Sequence, residues 1–440
     1  MAPRRYDVLL LVAALPLALF AACAGEDDPV EGGSSPAAGP PSPTSTDQVT
    51  PDRPPEQLAV VGHATRPQLR LTQRAADRLF TGDVRRWRGL RVVPSIGAVE
   101  KDPGTIAVVP VTDVTPTVTA ATVAGNDPVR DHPDAVTVAV TGDVMLVRNV
   151  PDAGAALAPM TSRLRRADLT VGNLESTLST NGEPTQDDFF GGSPALVPVL
   201  RRAGFDALSL ANNHTGDYGP VALVETVDAL TSGPVGGFSA GATLREASRP
   251  LVLEAGGTRF AFVGFNAIGE TPAATDDSPG ALSVRMPPRT GPLVRADLDR
   301  VTGIIQRASR QADAVVVLPH WGDQYTHTPW PSQRVVAREL VAAGADLVVG
   351  GHPHWVQGID SVDGVPVLHS LGNFVFDMYW EPEVLEGVVL ESTWWEGDLK
   401  AIRLVPYAMD VSDYAPRPVS GERAADILAD MRSTSTGPYR

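Results

Sequence analysis

Between Gly344 and Gly358 the chain reads GADLVVGGHPHWVQG, a short β-branched run that stops at two glycines and a His352-Pro353-His354 triplet. Leu347-Val348-Val349 has the length and composition of a strand buried on both faces, as in a parallel sheet. Whatever follows such a strand projects beyond its carboxyl end. Two imidazoles at alternate positions on a Pro-linked segment can converge there on a metal ion, and neutral imidazole accepts Zn, Mn or Fe. A loop with two solvated histidines has the same local sequence. Recurrence of the design elsewhere in the chain is what separates the two readings.

The design does recur. From Val136 onward, runs of strand character (VTVAV, ADLTV, DALSL, RFAFVGF, AVVVLP, DLVVG, PVLHS) alternate with helical patterns such as PALVPVLRRAG, ALVETVDAL, ADLDRVTGIIQRASR and SQRVVARELVAAG. That alternation predicts an α/β domain with mostly parallel strands, in which functional groups collect beyond the strands' carboxyl ends. Nearly every strand exit carries a polar motif: Gly142-Asp143-Val144-Met145, Gly172-Asn173-Leu174-Glu175, Ala211-Asn212-Asn213-His214-Thr215-Gly216-Asp217, His320-Trp321-Gly322-Asp323-Gln324 and Ser370-Leu371-Gly372-Asn373. Any one of them alone reads as turn chemistry, with Asp143 capping a turn and Asn212 or Asn373 satisfying tight loops. Together with His352-Pro353-His354 they hold four of the eight histidines, His214, His320, His352 and His354. His327 reads as a polar-loop residue, His369 as packed along a strand, and Trp321 and Trp355 as rim residues. P-loop, HExxH and GxGxxG fingerprints are absent from the sequence.

The N-terminal part is built differently. Arg4 and Arg5 precede an apolar run from Val8 to Ala22, interrupted at Pro16, which is short for a membrane span and fits a signal-peptide core. The run ends at Cys23, the only cysteine, in a lipobox-like Leu19-Phe20-Ala21-Ala22-Cys23. Residues 1–23 therefore read as a lipoprotein-type signal and Cys23 as the lipidation site, which puts the chain on the extracytoplasmic face of the cell membrane. An ordinary secretory signal cleaved near Ala22 gives a secreted protein instead. Residues 24–57 are rich in Pro, Gly, Ser and acids and read as a disordered linker. Residues 58–133 form a small α/β accessory segment, with LAVVG and TIAVVPV as strands and TQRAADRLFTG as a helix. Within it, LTQRAADRLFTGDVRRWRGL resembles a fragment of periplasmic phosphate-binding proteins. A net charge of −16 argues against nucleic acid as a partner.

The ordered series GDVML, NLES, ANNHTGDYG, HWGDQ, GGHPHWVQG and SLGNF resembles the CapA-type poly-γ-glutamate capsule-synthesis proteins, relatives of the calcineurin-like metallophosphoesterases. The resemblance covers the 134–432 domain and leaves 433–440 as a tail. It implies a four-layer α-β-β-α sandwich with a centre for one or two divalent ions (Mn, Zn or Fe). Carried over residue by residue, it makes Asp143 a ligand of one metal, Glu175 a bridging carboxylate, and Asn213, His320 and His352 ligands of the second metal, with His354 facing the first. His214 becomes the catalytic histidine, oriented by Asp217. Where the wider superfamily has Asp-x-His, this chain has Asp143-Val144-Met145, so the first metal lacks one imidazole. Three functions follow from this: synthesis or handling of a surface polymer together with its synthesis or export machinery, hydrolysis of extracytoplasmic phosphate esters, or non-catalytic binding of polymer.

Overall fold

The computed structural model describes residues 57–440, so the signal-peptide, Cys23 and linker readings fall outside the described residues apart from Gln57. Among the described residues no helix is long and apolar enough to cross a membrane.

The seven expected strands form where the β-branched runs lie, and they divide between two mixed sheets. One sheet of 8 strands runs Gly236–Phe238, Ala207–Ser209, Leu169–Leu174, Ala135–Val144, Glu386–Trp395, Asp398–Ala408 and Arg417–Pro418, with Asn373–Val375 paired to the end of Ala135–Val144. The other, of 6, runs Leu251–Ala255, Thr258–Asn266, Ala314–His320, Leu347–Val349, Val365–Leu368 and Ile359–Val362. The strands that carry the motifs pair in parallel: Ala135–Val144 with Leu169–Leu174, and Ala314–His320 with Leu347–Val349. Their polar exits consequently lie at the same end of each sheet.

Strand alternation sorts the side chains between faces. Val138, Val140 and Val171 of the larger sheet share one apolar cluster with Phe260, Phe262, Val316 and Leu347 of the smaller. Ala139 and Leu174, facing the other way, pack with Leu157 and Leu164 of helix Ala153–Leu164 and Leu200 of helix Leu196–Ala203. Val315, Val317 and Val348 pack with Val301 and Ile305 of helix Arg295–Ala308 and with Leu340 of helix Pro331–Ala342.

The long antiparallel pair Glu386–Trp395 and Asp398–Ala408 has no counterpart among the strands expected from periodicity. Its connection is a two-residue turn at Glu396 (φ 51°) and Gly397 (φ 91°), the left-handed pair that matches strand twist in a tight hairpin. The Glu-Gly dipeptide between two apolar runs was the available signal. Trp395 and Ala401 of this hairpin join Val61, Val109 and Val118 of the N-terminal segment in one cluster, and Trp395 Nε1 donates to the Val129 carbonyl at 3.0 Å. That segment is a five-stranded sheet ordered Arg86–Trp87, Leu90–Val93, Thr105–Pro110, Leu58–His63, Val118–Ala120. Its helix Gln73–Phe80 is N-capped by Thr72, whose hydroxyl accepts from Ala75 N–H.

Residues 433–440 are packed against the fold. Ser435 Oγ accepts from Ile359 N–H at 2.8 Å, and Tyr439 is buried with its hydroxyl on the Pro116 carbonyl at 3.3 Å. Beside this crossing lies buried His63, whose Nδ1 accepts from Thr65 N–H at 3.2 Å while Nε2 has no partner. Burial, aided by the nearby Arg432 guanidinium, holds its pKa down from 6.5 to about 4. The native state therefore resists a proton that the unfolded chain accepts. His63 leaves stability intact above pH 6.5 and subtracts from it as pH falls from 6.5 to about 4, by on the order of 1–3 kcal/mol. The His63→Gln protein should lose less of its melting temperature than the unaltered chain between pH 7 and about pH 4.5. Parallel pH profiles of Tm would show the opposite.

Candidate metal centre

Two glycines allow the strand ends to close on one another. A Cβ on Gly142 would sit 1.9 Å from the Gly372 carbonyl oxygen, so only glycine lets the Asn373–Val375 strand lie along the Asp143 end. A Cβ on Gly351 would sit 2.5 Å from Asp143 Oδ1 and 3.3 Å from His320 Nδ1. Just beyond, His352 and His354 both hold left-handed backbone (φ 94° and 60°), which costs a non-glycine residue about 1–2 kcal/mol each. That turn lets the His352 N–H donate to Asp143 Oδ2 at 3.0 Å. Strained backbone of this kind persists where surrounding structure over-determines it, which is common at functional sites.

Asp143, Glu175 and His320 offer ligand atoms that all lie within 4.8 Å of one another, and all three residues are buried. His320 Nδ1 is 3.9 Å from Asp143 Oδ1, and its Nε2 is 3.8 Å from Glu175 Oε1 and 2.9 Å from Asn213 Oδ1. The His352 ring centre lies 5.0 Å from that of His320, and the His354 ring 5.8 Å from that of His352. His354 Nδ1 is 2.8 Å from Asn373 Oδ1, which fixes its ring, and Gln324 Nε2 approaches its Nε2 at 3.5 Å. Thus Asp143, Glu175, Asn213 and His320 come together, His352 flanks them, and His354 stands one ring further out.

His214 faces the same space with Nε2 4.0 Å from Glu175 Oε1. Its Nδ1 is 2.9 Å from Asp217 Oδ2, and its ring stacks on Phe190 with centroids 3.8 Å apart. Asp217 also accepts from Phe190 N–H at 2.7 Å and from the Gln186 amide. The imidazole is consequently held on one face and at one nitrogen, leaving Nε2 toward the carboxylates.

Burial disfavours every charge in this cluster. It raises Asp143 from 3.8 to about 6 and raises Glu175 well above the usual range, with Asp143 and Asp217 adding repulsion to Glu175. The same desolvation lowers His320 and His352 well below 6.5 and His354 to about 4, so these rings are neutral near pH 7. Glu175 Oε1 and both ring nitrogens of His352 are buried without any hydrogen-bond partner. Unpaired buried polar atoms of this kind are costly, and carboxylates with neutral imidazoles are the ligand set a divalent cation of intermediate hardness takes. The residues fit a metal.

Several contributors went unnoticed in the sequence. Asn173 donates from Nδ2 to Asp143 Oδ1 at 2.8 Å and to Glu175 Oε2 at 3.3 Å, and Asn212 Nδ2 donates to its Oδ1 at 2.9 Å. The Gly-Asn pair at a strand exit was the visible signal. Asn212 Oδ1 also accepts from the main-chain N–H groups of His214 and Thr215, the backbone role expected of it. Gln186 and Phe190 come from a segment with no local motif at all. Trp321, expected at the rim, is fully buried instead: its indole N–H donates to the His369 carbonyl at 3.0 Å and its edge meets Phe265. Met145 belongs to the apolar cluster under helix Ala153–Leu164, and its sulfur accepts from Val147 N–H at 3.4 Å. His369 is buried against Asp360 Oδ2 at 2.9 Å, and His327 Nδ1 lies 2.7 Å from the Val356 carbonyl.

Residues 137–378 match the family described as bacterial capsule synthesis protein PGA_cap. The capsule biosynthesis protein CapA of Bacillus anthracis is 28% identical over 297 residues, covering 65% of this chain and 70% of that one. The PGA biosynthesis protein CapA of Bacillus subtilis (strain 168) is 31% identical over 258 residues, 56% of this chain and 65% of its own length. Among solved structures, a hypothetical protein from Thermus thermophilus aligns at 20% identity with a TM-score of 0.41, over 62% of this chain and 99% of that one.

With Met145 turned into the core, dialysed protein should retain nearer one metal ion than two per chain by elemental analysis. Two firmly held ions would mean that another side chain stands in for the missing imidazole. Gly351→Ala should displace the Asp143 carboxylate and weaken metal binding by about tenfold or more while circular dichroism stays unchanged. Wild-type metal content in that variant would show that Asp143 is not a ligand.

Proposed function

The chain belongs to the bacterial capsule synthesis protein family, and on that footing we propose that it is an exported, metal-dependent protein acting in the synthesis or handling of poly-γ-glutamate or a similar anionic surface polymer. Its anchor in this reading is lipidated Cys23, its place the extracytoplasmic face of the membrane, and its partners the polymer synthesis or export machinery. The sheets and helices are read as a four-layer α-β-β-α, metallophosphoesterase-like sandwich, which the cluster shared by the two sheets and the helix-lined clusters on their outer faces support.

The observation that carries the metal-dependent part is the buried Asp143–Glu175–His320 group with its unpartnered Glu175 oxygen and unpartnered His352 ring. Asp143, Glu175, Asn213, His320 and His352 would hold the ion, with His354 beside a second position. A bound divalent ion would polarise a substrate oxygen and lower the pKa of water. The chain's own part is to fix the donors and to move a proton. Asn173 and the His352 N–H, one on each oxygen, fix the orientation of the Asp143 carboxylate. His214 keeps its Nδ1 on Asp217, so Nε2 is free to deliver a proton to a leaving group. That pair favours, as a second reading, hydrolysis of extracytoplasmic phosphate esters by the same centre.

His214→Ala should retain most of the metal held by the unaltered protein and lose hydrolysis of phosphoesters or γ-glutamyl peptides by about a hundredfold or more. Metal lost to the same extent as in His352→Ala would make His214 a ligand. In a native type of host, Cys23→Ser should move the protein out of the membrane fraction; unchanged association with membranes would remove the lipid anchor from this reading.

A further inference from the structure

Opposite in character to the metal centre, the surface where the N-terminal segment meets the hairpin Glu386–Trp395/Asp398–Ala408 carries positive charge. Between Arg66 and Arg91 the sequence has eight arginines against only Asp77 and Asp83, inside a chain whose net charge is −16. Part of that excess lines a groove of about 640 Å³. Its arginines are Arg66, Arg70 and Arg88 from the N-terminal segment with Arg163 and Arg403 from the main domain, and among the described residues no acidic side chain lines it. Trp87, Leu69, Leu90 and Val419 supply apolar wall between them.

The cations from the N-terminal segment have no carboxylate of their own among the described residues. Arg66 donates to the Pro103 carbonyl at 2.8 Å, and Arg432, another cation, lies close enough to push against it. Arg70 is exposed without a side-chain hydrogen bond, and Arg88 lies over the Trp87 ring with its guanidinium carbon 5.0 Å from the centroid. The wall from the main domain shows how this surface takes a carboxylate: Glu391 accepts from Arg163 at 2.5 Å and from Arg403 Nε at 2.7 Å, with Arg130 at 3.4 Å. With Asp127 Oδ2 3.6 Å from Arg403 Nη1, two carboxylates answer these three guanidiniums and one positive charge is left over. Unpaired guanidiniums spaced along an open groove, with apolar surface between them, match an extended chain that alternates carboxylates with short aliphatic links.

We infer that this arginine-lined groove, separate from the metal centre, is a binding site for a polycarboxylate chain such as poly-γ-glutamate. The choice of polymer rests on the function proposed above; the site itself rests on the charge and shape of the groove. Guanidinium–carboxylate pairs at an open surface are screened by salt, so the interaction should weaken steeply with ionic strength.

The test is fluorescence anisotropy with a labelled γ-linked glutamate oligomer and the full chain. R70E/R88N changes two exposed positions, with Asn chosen at 88 for its left-handed backbone (φ 46°). It should weaken binding by about tenfold or more, while R307E/R310N, the same change of charge outside the groove, leaves it unaltered. Metal content should be equal in all three proteins. Unchanged affinity in R70E/R88N overturns the groove, and affinity lost in His352→Ala instead would put the polymer at the metal centre and leave the proposed function standing. Polyphosphate or anionic lipid vesicles that bind as tightly as the oligomer, with the same dependence on Arg70 and Arg88, would overturn the polycarboxylate assignment. Groove binding retained by a chain that fails the metal and hydrolysis tests would sink the function proposed for the metal centre and keep this site.

Discussion

Asp143 and Glu175 are held out of water within reach of each other and of His320, with no Lys or Arg paired to either among the described residues. Two carboxylates in that position cost several kcal/mol each if left ionised and uncompensated. The surroundings lower part of that cost by hydrogen bonding, through the Asn173 amide and the His352 N–H, and leave Glu175 Oε1 without a partner. A metal bound in this cluster would be coupled to folding through this deficit. A cation that enters the cluster removes a penalty the fold carries without it, so the free energy of binding is partly free energy of folding.

The rest of the domain reads as the support such a cluster requires. Two sheets packed on a shared apolar core give parallel strands whose ends cannot drift, and the motif residues sit where those strands stop. Glycine at 142 and 351 removes the atoms that would hold the ends apart. The left-handed turns at His352 and His354 are offset by the packing around them, and they aim the first of these residues so that its main chain serves Asp143.

Charge is divided between two regions of the molecule. The acidic chain buries Asp143 and Glu175 without a cationic partner at the candidate metal centre and carries an arginine excess on the N-terminal segment. On a chain whose net charge is −16, a cationic groove would draw polyanions to one face, supplying orientation as well as affinity. The hairpin Glu386–Trp395/Asp398–Ala408 connects the two regions physically. Its first strand pairs with the Asp143 strand, and its Trp395 and Ala401 pack into the core of the N-terminal segment.

Sequence alone determined the parallel strands, the helices between them and the polar motifs at nearly every strand exit. The reason is local: a β-branched run of about four to eight residues specifies a buried strand, and only the recurrence of polar motifs at successive strand ends sets them apart from turn chemistry. The expectation that Asp143, Glu175, Asn213, His320 and His352 serve as ligands, with His354 beside them and His214 as the catalytic histidine, came from the ordered series of motifs and its family resemblance, not from any one strand exit. What tertiary structure decided was which side chains meet. Asn173 carries no role in the local sequence and gains one only because the Asp143 and Leu169–Leu174 strands pair in register and bring its amide to both carboxylates. Trp321 looked like rim because its neighbours are polar, whereas strand alternation turned it into the core. The hairpin, the Gln186 and Phe190 contacts on Asp217 and the arginine groove depend on residues far apart in the chain, and no periodicity encodes a distance between segments that only packing brings together.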